Sequence, residues 1–314
     1  MRSFNYIAQN WLLDSLPTRP IFYNLKTKTE ETGERIMSAF KKFLTESAEK
    51  VDNFLSKWLL SEGYVGDLCT YAVIGGGKKF RPALSLIFAE DQPDDVKEDI
   101  LKAACAAELI HAFSLVHDDL PEMDGDMERR GMPSFHARYG HAQALLCGDW
   151  LSAASFRLLA ELSKPEREIK ISDILGKATT DMIEGQLLEF QSEDSSVDGI
   201  LAIHKLKTGA LMKAAIMSGA LLAYGESALE SKELNIYADN MGVLFQISDD
   251  YLDIEEEETG NIARKLGGRK ECYEFASKIA DTAKEAAFGF FGKNNSKLMI
   301  QAVDFLLDRM READ

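Results

Sequence analysis

Six carboxylates and two adjacent arginines fall within the fifteen residues HDDLPEMDGDMERRG, His117 to Gly131. Like charges packed this closely repel unless cations lie among them. Asp118, Asp119, Asp124 and Asp126 beside Arg129 and Arg130 therefore suggest a site that gathers metal ions and a phosphorylated anion. A solvated acidic loop would carry the same letters, and most charge runs are that. A second cluster, FQISDDYLDIEEEETG, bears on the choice. Its Asp249 and Asp253 stand four apart, which on a helix puts both carboxylates on one face, about 40° apart. Asp118 and Asp124 stand six apart and on an unbroken helix would diverge by about 240°. Pro121 cannot continue a regular helix, so the chain must kink or open after Asp119 and the third carboxylate can swing back. Oxygen ligands of this kind suit Mg²⁺, usually shared with substrate phosphates.

Basic residues supply the second requirement. In GGGKKFRPAL, Gly75, Gly76 and Gly77 let backbone N–H groups approach an anion. Lys78 brings a point charge and Arg81 a planar fork. HKLKTGALM places Lys207 and Thr208 before a glycine in a helical context. His111 lies two turns before the first aspartates on an apolar segment, where a satisfied core histidine is the commoner reading. Each motif is weak alone; their order together is specific.

These groups need helices to position them. ERIMSAFKKFLTESAEKVDNFLSKWLL puts Ile36, Phe40, Phe43, Leu44, Val51, Phe54, Leu55 and Trp58 on one helical face. DDVKEDILKAACAAELIHAFSLVH reads as a long helix with acidic residues in its first turn and a middle apolar all round, so it should be central and buried. No convincing run of alternating strands and no short repeat appears. The fold class expected is all-α. Residues 1–30 read as an N-terminal extension, and 31–314 as a single helical domain.

Composition narrows the function further. The 314 residues carry a net charge of −16, which argues against a general nucleic-acid binder. The four cysteines, Cys69, Cys105, Cys147 and Cys272, have no metal spacing and read as reduced core residues of a cytoplasmic protein. No uninterrupted apolar run reaches the roughly 20 residues of a membrane span. The nearest candidate, GALMKAAIMSGALLAYG, is broken by Lys213 and reads as a buried helix. The N-terminus lacks a secretory apolar core, and its few basic residues make it a weak transit peptide.

Taken together, GGGKKFRP, ELIHAFSLVHDDLPEMDGDMERRGMPSFH, GDWL, KTGALM and FQISDDYLD resemble the trans-type isoprenyl diphosphate synthases, in the short-chain farnesyl and geranylgeranyl branch. The likeness covers roughly residues 35–255 closely and the last helix more loosely. It implies an isoprenoid synthase-type helical bundle around a deep central cavity, commonly a homodimer. The implied reaction is Mg²⁺-dependent condensation of isopentenyl diphosphate with an allylic diphosphate such as dimethylallyl or geranyl diphosphate. Farnesyl diphosphate, C15, is the product expected, and geranylgeranyl diphosphate, C20, the alternative. A non-catalytic or regulatory helical subunit of the same fold is the other reading. Two aspartate-rich motifs argue against a class I terpene cyclase.

By matching position, the resemblance assigns catalytic parts to Asp118, Asp119, Asp124, Arg129, Lys207, Asp249 and Asp250. The metal ligands would be Asp118, Asp119, Asp124, Asp249 and Asp253, with Asp119 supporting. Arg129, Lys207, Thr208 and Gln246 would hold the allylic diphosphate. Lys78, Arg81, His111, Arg130 and the backbone of Gly77 would hold isopentenyl diphosphate. Phe113 and Ser114, about one turn before Asp118, would floor the cavity and set product length.

Three departures stand out. Glu189 replaces the family's usual aspartate. Trp150 replaces a smaller residue and is expected to narrow a neighbouring wall. After DDYLD the family's glycine- and lysine-rich loop is missing, and IEEEETGNIARKLGGRKECYEF is shorter by about a dozen residues. Arg264, Lys265, Arg269 or Lys270 would have to stand in for its two lysines.

Overall fold

The computed structural model describes residues 30–313 except 75, 192–195 and 256–259; side chains 30–38 and 293–295 also lie outside it. The extension expected over residues 1–30 therefore falls outside, apart from the backbone of Glu30, as do Gly75 and the side chain of Ile36. Among the described residues the chain forms α1 (Glu30–Ser61), α2 (Gly63–Val73), α3 (Phe80–Leu86), α4 (Asp94–Asp118), α5 (Phe135–Tyr139), α6 (His141–Leu159) and α7 (Pro165–Gln191). It continues through α8 (Val197–His204), α9 (Ala210–Tyr224), α10 (Lys232–Leu252), α11 (Ile262–Leu266), α12 (Arg269–Asn295) and α13 (Lys297–Arg311).

The long helix α4 begins after Pro93, with Asp94 and Asp95 in its first turn complementing the helix dipole. Every residue from Ala103 to Ile110 is buried. Alanines dominate that stretch, so neighbouring helices approach closely, and α3, α6 and α9 pack around it. Helix α10 is the second hub, packed by α9, α12 and α13. Its start is fixed by Ser231, whose hydroxyl accepts from the Leu234 N–H at 3.2 Å. In α1, Phe40, Leu44, Val51, Leu55 and Trp58 are buried and Phe43 and Phe54 partly so, as the periodicity predicts.

By length and composition alone, α4 and the continuous Val197–Tyr224 segment could cross a membrane, with 67% and 72% of their apolar windows buried inside the protein. Both are hubs of the bundle, and burial against other helices accounts for their apolar character. All four cysteines are free and buried, and the Cys69 and Cys147 sulfurs, on α2 and α6, approach to 2.8 Å.

Two local departures from regular helix matter to the site. A two-stranded hairpin, β1 (Glu128–Arg129) and β2 (Met132–Pro133), interrupts the all-helical pattern. Its two-residue turn has φ of +57° at Arg130 and +75° at Gly131, the doubly left-handed turn that matches strand twist. Between α8 and α9, Lys205–Gly209 forms a π-helical turn. Such widened turns recur at functional sites because they re-aim side chains.

Candidate active site

Helix α4 ends at Asp118, and the next turn folds the chain back. The Met123 and Gly125 N–H groups donate to the Leu120 carbonyl at 2.8 and 3.0 Å, with Pro121 inside the turn, and the Asp124 N–H donates to the Asp118 carbonyl at 2.9 Å. This is the return of the third carboxylate that Pro121 predicts. Burial pushes the Asp118 carboxyl up to about 6, with Lys207 opposing and Asp124 adding to the rise. Asp124 is raised as well, again chiefly by burial. Carboxylates whose charge is disfavoured until a cation arrives suit metal binding.

Asp119 departs from the expected ligand set. It is buried, and its carboxylate accepts from Arg129 Nε at 2.6 Å and Nη2 at 2.5 Å. Arg129 Nη2 also lies 3.5 Å from Asp126. Asp119 thus orients Arg129 and leaves Asp118 and Asp124 to face a cation.

At the second cluster, Asp249 Oδ1 accepts from Arg309 Nη2 at 2.8 Å, while Arg309 Nη1 donates to Ser248 Oγ at 3.2 Å. Asp253 caps the helix one turn on. Both carboxyls are raised, mainly by burial, and Arg309 opposes the rise in each. Asp250 turns inward: it accepts from Gln246 Nε2 at 2.9 Å and from the Ile262 N–H at 2.8 Å. Gln246 Oε1 accepts in turn from the Thr208 hydroxyl at 2.8 Å. Asp250 and Gln246 therefore act by fixing Thr208.

Lys207 rides on the π turn, which packs against α7 at Gly185. A Cβ there would sit 2.4 Å from the Lys207 nitrogen, so only glycine admits the contact. Lys207 Nζ pairs with Glu189 at 2.5 Å, so the longer acid reaches the lysine.

Among the described residues no three His, Cys, Asp or Glu side chains converge on a metal position. Each cluster offers two carboxylates, Asp118 with Asp124 and Asp249 with Asp253. The remaining ligands of an octahedral Mg²⁺ would be diphosphate and water oxygens, and this donor set fits such an ion.

A basic pocket of about 200 Å³ is lined by Gly77, Lys78, Arg81, His111, Arg130 and Arg309, among others. Arg130 lies flat on the glycine backbone: Cβ atoms at Gly76 and Gly77 would stand 2.2 and 2.6 Å from its nitrogens. Arg81 Nε is buried without a partner, as a donor awaiting an anion would be. Arg81 Nη1 reaches His111 Nε2 at 3.4 Å. Burial, then Arg81 and Arg130, hold His111 well below the usual histidine range, so it stays a neutral acceptor. Phe245 and Phe305 support the cations, with Arg81 over the first at 5.4 Å and Lys78 over the second at 5.3 Å.

Arg81 and His111 also line a second, larger cavity of about 890 Å³. Asp118, Lys207, Thr208 and Ser114 stand on its wall, and Phe113, Met182 and Leu211 make it mainly apolar. The Phe113 ring meets His117 edge to face at 5.9 Å. Trp150 is not among the lining residues; it packs 6.5 Å from Trp58, so the narrowing expected of it does not occur.

Arg264 Nε donates to the Ile254 carbonyl at 2.7 Å, and Arg269 lies over Tyr251 at 5.1 Å. Lys265 and Lys270 are exposed. The cation hydrogen-bonded to Asp249 is Arg309, which sequence reasoning misses. An arginine in the basic last turn of an amphipathic last helix reads as solvent-facing, and its partner lies 60 residues away. The resemblance of that helix was the available signal.

The family-wide profile described as polyprenyl synthetase matches residues 62–266. A geranylgeranyl diphosphate synthase of Cyanophora paradoxa is 35% identical over 290 residues, covering 85% of this chain and 95% of its own. A farnesyl diphosphate synthase of Geobacillus stearothermophilus is 33% identical over 262 residues, covering 79% and 88%. The crystal structure of a geranyltransferase from Legionella pneumophila superposes with a TM-score of 0.77 at 26% identity, covering 88% of this chain and 99% of that one.

Proposed function

The chain belongs to the polyprenyl synthetase family and is a prenyltransferase, and we propose that it joins isopentenyl diphosphate to dimethylallyl or geranyl diphosphate to make farnesyl diphosphate. One observation carries this reading: a small basic pocket and a large, mainly apolar cavity share Arg81 and His111, and Asp118, Lys207 and Thr208 stand on the wall of the larger one.

Asp118 and Asp124 from one side, and Asp249 and Asp253 from the other, would hold Mg²⁺. When bound, Mg²⁺ supplies positive charge that stabilises the departing pyrophosphate. The protein's own residues do the rest. Arg129, aimed by Asp119, offers its planar fork to the allylic diphosphate, while Lys207 adds a point charge and Thr208 a hydroxyl fixed by Gln246. Lys78, Arg81, Arg130 and His111 hold isopentenyl diphosphate. The allylic C–O bond breaks with its electron pair leaving on pyrophosphate. The isopentenyl double bond then forms the new C–C bond, and a proton is lost to pyrophosphate. Donors already in place when charge separates lower the barrier without reorganisation. Apolar walls keep water from the cation.

Phe113 on the cavity wall supports C15. We further infer one helical domain over residues 31–314 and a cytoplasmic homodimer. The test is incubation with isopentenyl diphosphate, geranyl diphosphate and Mg²⁺, with products identified by mass. A C15 product is expected; C20 would favour the geranylgeranyl reading, and no product would refute both.

A further inference from the structure

A lysine and a glutamate lie buried beneath the small basic pocket, and nothing in the reaction calls for them directly. Lys79 is 4% exposed and Glu108 likewise 4%. Lys79 Nζ donates to Glu108 Oε1 at 2.9 Å and to the Val73 carbonyl at 2.5 Å, and stands 3.5 Å from Asp52. Glu108 lines the pocket among cations that are there to bind an anion. A carboxylate in that place repels the ligand, and a buried ion pair adds little net stability over an apolar pair. Stability alone does not account for it.

The backbone supplies the reason. Lys79 has φ 48° and ψ 43°, a left-handed conformation that costs a non-glycine residue free energy. It lies between Lys78 and Phe80, two residues before Arg81. The left-handed step lets consecutive lysines part: Lys79 goes down into the core while Lys78 goes up over Phe305. Such a conformation persists only where surrounding contacts over-determine it, and the three contacts at Lys79 Nζ are those contacts. Glu108 is also three residues before His111 on α4, so the same helix that anchors the brace carries another lining group. Its charge raises Arg81 and Arg130 against the effect of their burial.

We propose that Lys79, braced on Glu108 and Asp52, is a positioning residue for the second substrate: it locks the turn that aims Lys78 and Arg81 at the diphosphate of isopentenyl diphosphate. This rests on the assignment of the small basic pocket to that substrate. The role is local to one pocket, because Arg129 and Lys207 are held by other partners, Asp119 and Glu189.

The test compares wild type with Lys79→Met, Lys79→Arg, Glu108→Gln and the double variant Lys79→Met/Glu108→Leu. Methionine meets the same left-handed strain as lysine, so backbone cost is matched. The double variant removes both charges at once and keeps the core apolar, which preserves folding where a single change leaves an unpaired charge. Binding of isopentenyl diphosphate is measured calorimetrically in EDTA, and KM is measured for both substrates with Mg²⁺. In the folded double variant, affinity for isopentenyl diphosphate should fall about tenfold, because misaimed charge-assisted hydrogen bonds outweigh the relief of repulsion from Glu108. The KM for geranyl diphosphate should stay within about threefold, and Lys79→Arg should restore binding because a guanidinium can still reach Glu108. Unaltered isopentenyl diphosphate binding in the double variant, equal movement of both KM values, or failure of arginine to rescue overturns the brace. Wild type that does not bind isopentenyl diphosphate overturns the pocket assignment itself, and the brace with it.

Discussion

Replacing Phe113 by alanine should lengthen the product. The ring stands on the wall of the 890 Å³ cavity, five residues before Asp118 at the carboxylate end. An isoprenoid chain growing from that end presses on it. Removing the ring admits one more five-carbon unit, and at about 0.8 kcal/mol per buried methylene that unit gains about 4 kcal/mol, a roughly thousandfold preference for elongation over release. The expected result is a shift of the main product from C15 to C20 or longer, read by mass after incubation with geranyl and isopentenyl diphosphates. Folding should survive. Phe113 is buried, and buried Phe→Ala changes cost about 3–5 kcal/mol, less than the stability of most domains. Circular dichroism and a thermal melt check this. Full activity with an unchanged product spectrum would refute the floor and remove the physical basis for C15.

Alanine at Asp118 or at Asp249 should abolish turnover while the melt stays cooperative; near-normal activity in either would sink the two-sided cation clamp. Arg129→Lys should raise the KM for the allylic substrate most, because lysine cannot reproduce the two-point contact with Asp119 that aims the side chain. An effect confined to isopentenyl diphosphate would reverse the assignment of the two arginines. Burial holds the His204 imidazole down to about 4. A histidine depressed in the folded state stabilises fully above its unfolded value near 6.5 and loses that contribution as pH falls toward 4, about 3 kcal/mol in all. The Tm of wild type relative to His204→Gln should therefore drop between pH 7 and 4.5, and a constant difference would show that His204 is not the titrating group.

The carboxylate pairs, the break at Pro121 and the buried run of α4 were legible because each is a local pattern. Spacing along a helix, or its interruption by proline, decides where a side chain points over a few residues. Arg309 was not legible, since its contact with Asp249 joins two helices 60 residues apart. Lys79 and Glu108 were hidden for a related reason: in sequence they read as ordinary charges, and only packing shows them inside. Trp150 shows the converse case. Its bulk was plain in the sequence, but its direction is set by Trp58 on α1. The π turn at Lys205–Gly209 had no signal beyond Gly209, and its accommodation depends on Gly185 in a different helix.

The hairpin turn at Arg130 has a geometric consequence for the chemistry. Consecutive α-carbons across a trans peptide are held about 3.8 Å apart. On the proposed assignment, Arg129 to the allylic diphosphate and Arg130 to the other, one peptide unit separates the anchors of the two substrates, and the left-handed turn sends them in different directions. The hairpin is thus a ruler: the offset between the two phosphate groups, and through them between the carbons that must join, is written in bond lengths. A slack loop could adapt to each ligand separately. This one obliges any shift of one substrate to carry the other, so insertion of a single residue between Arg129 and Arg130 should leave each substrate bound and the two carbons out of reach.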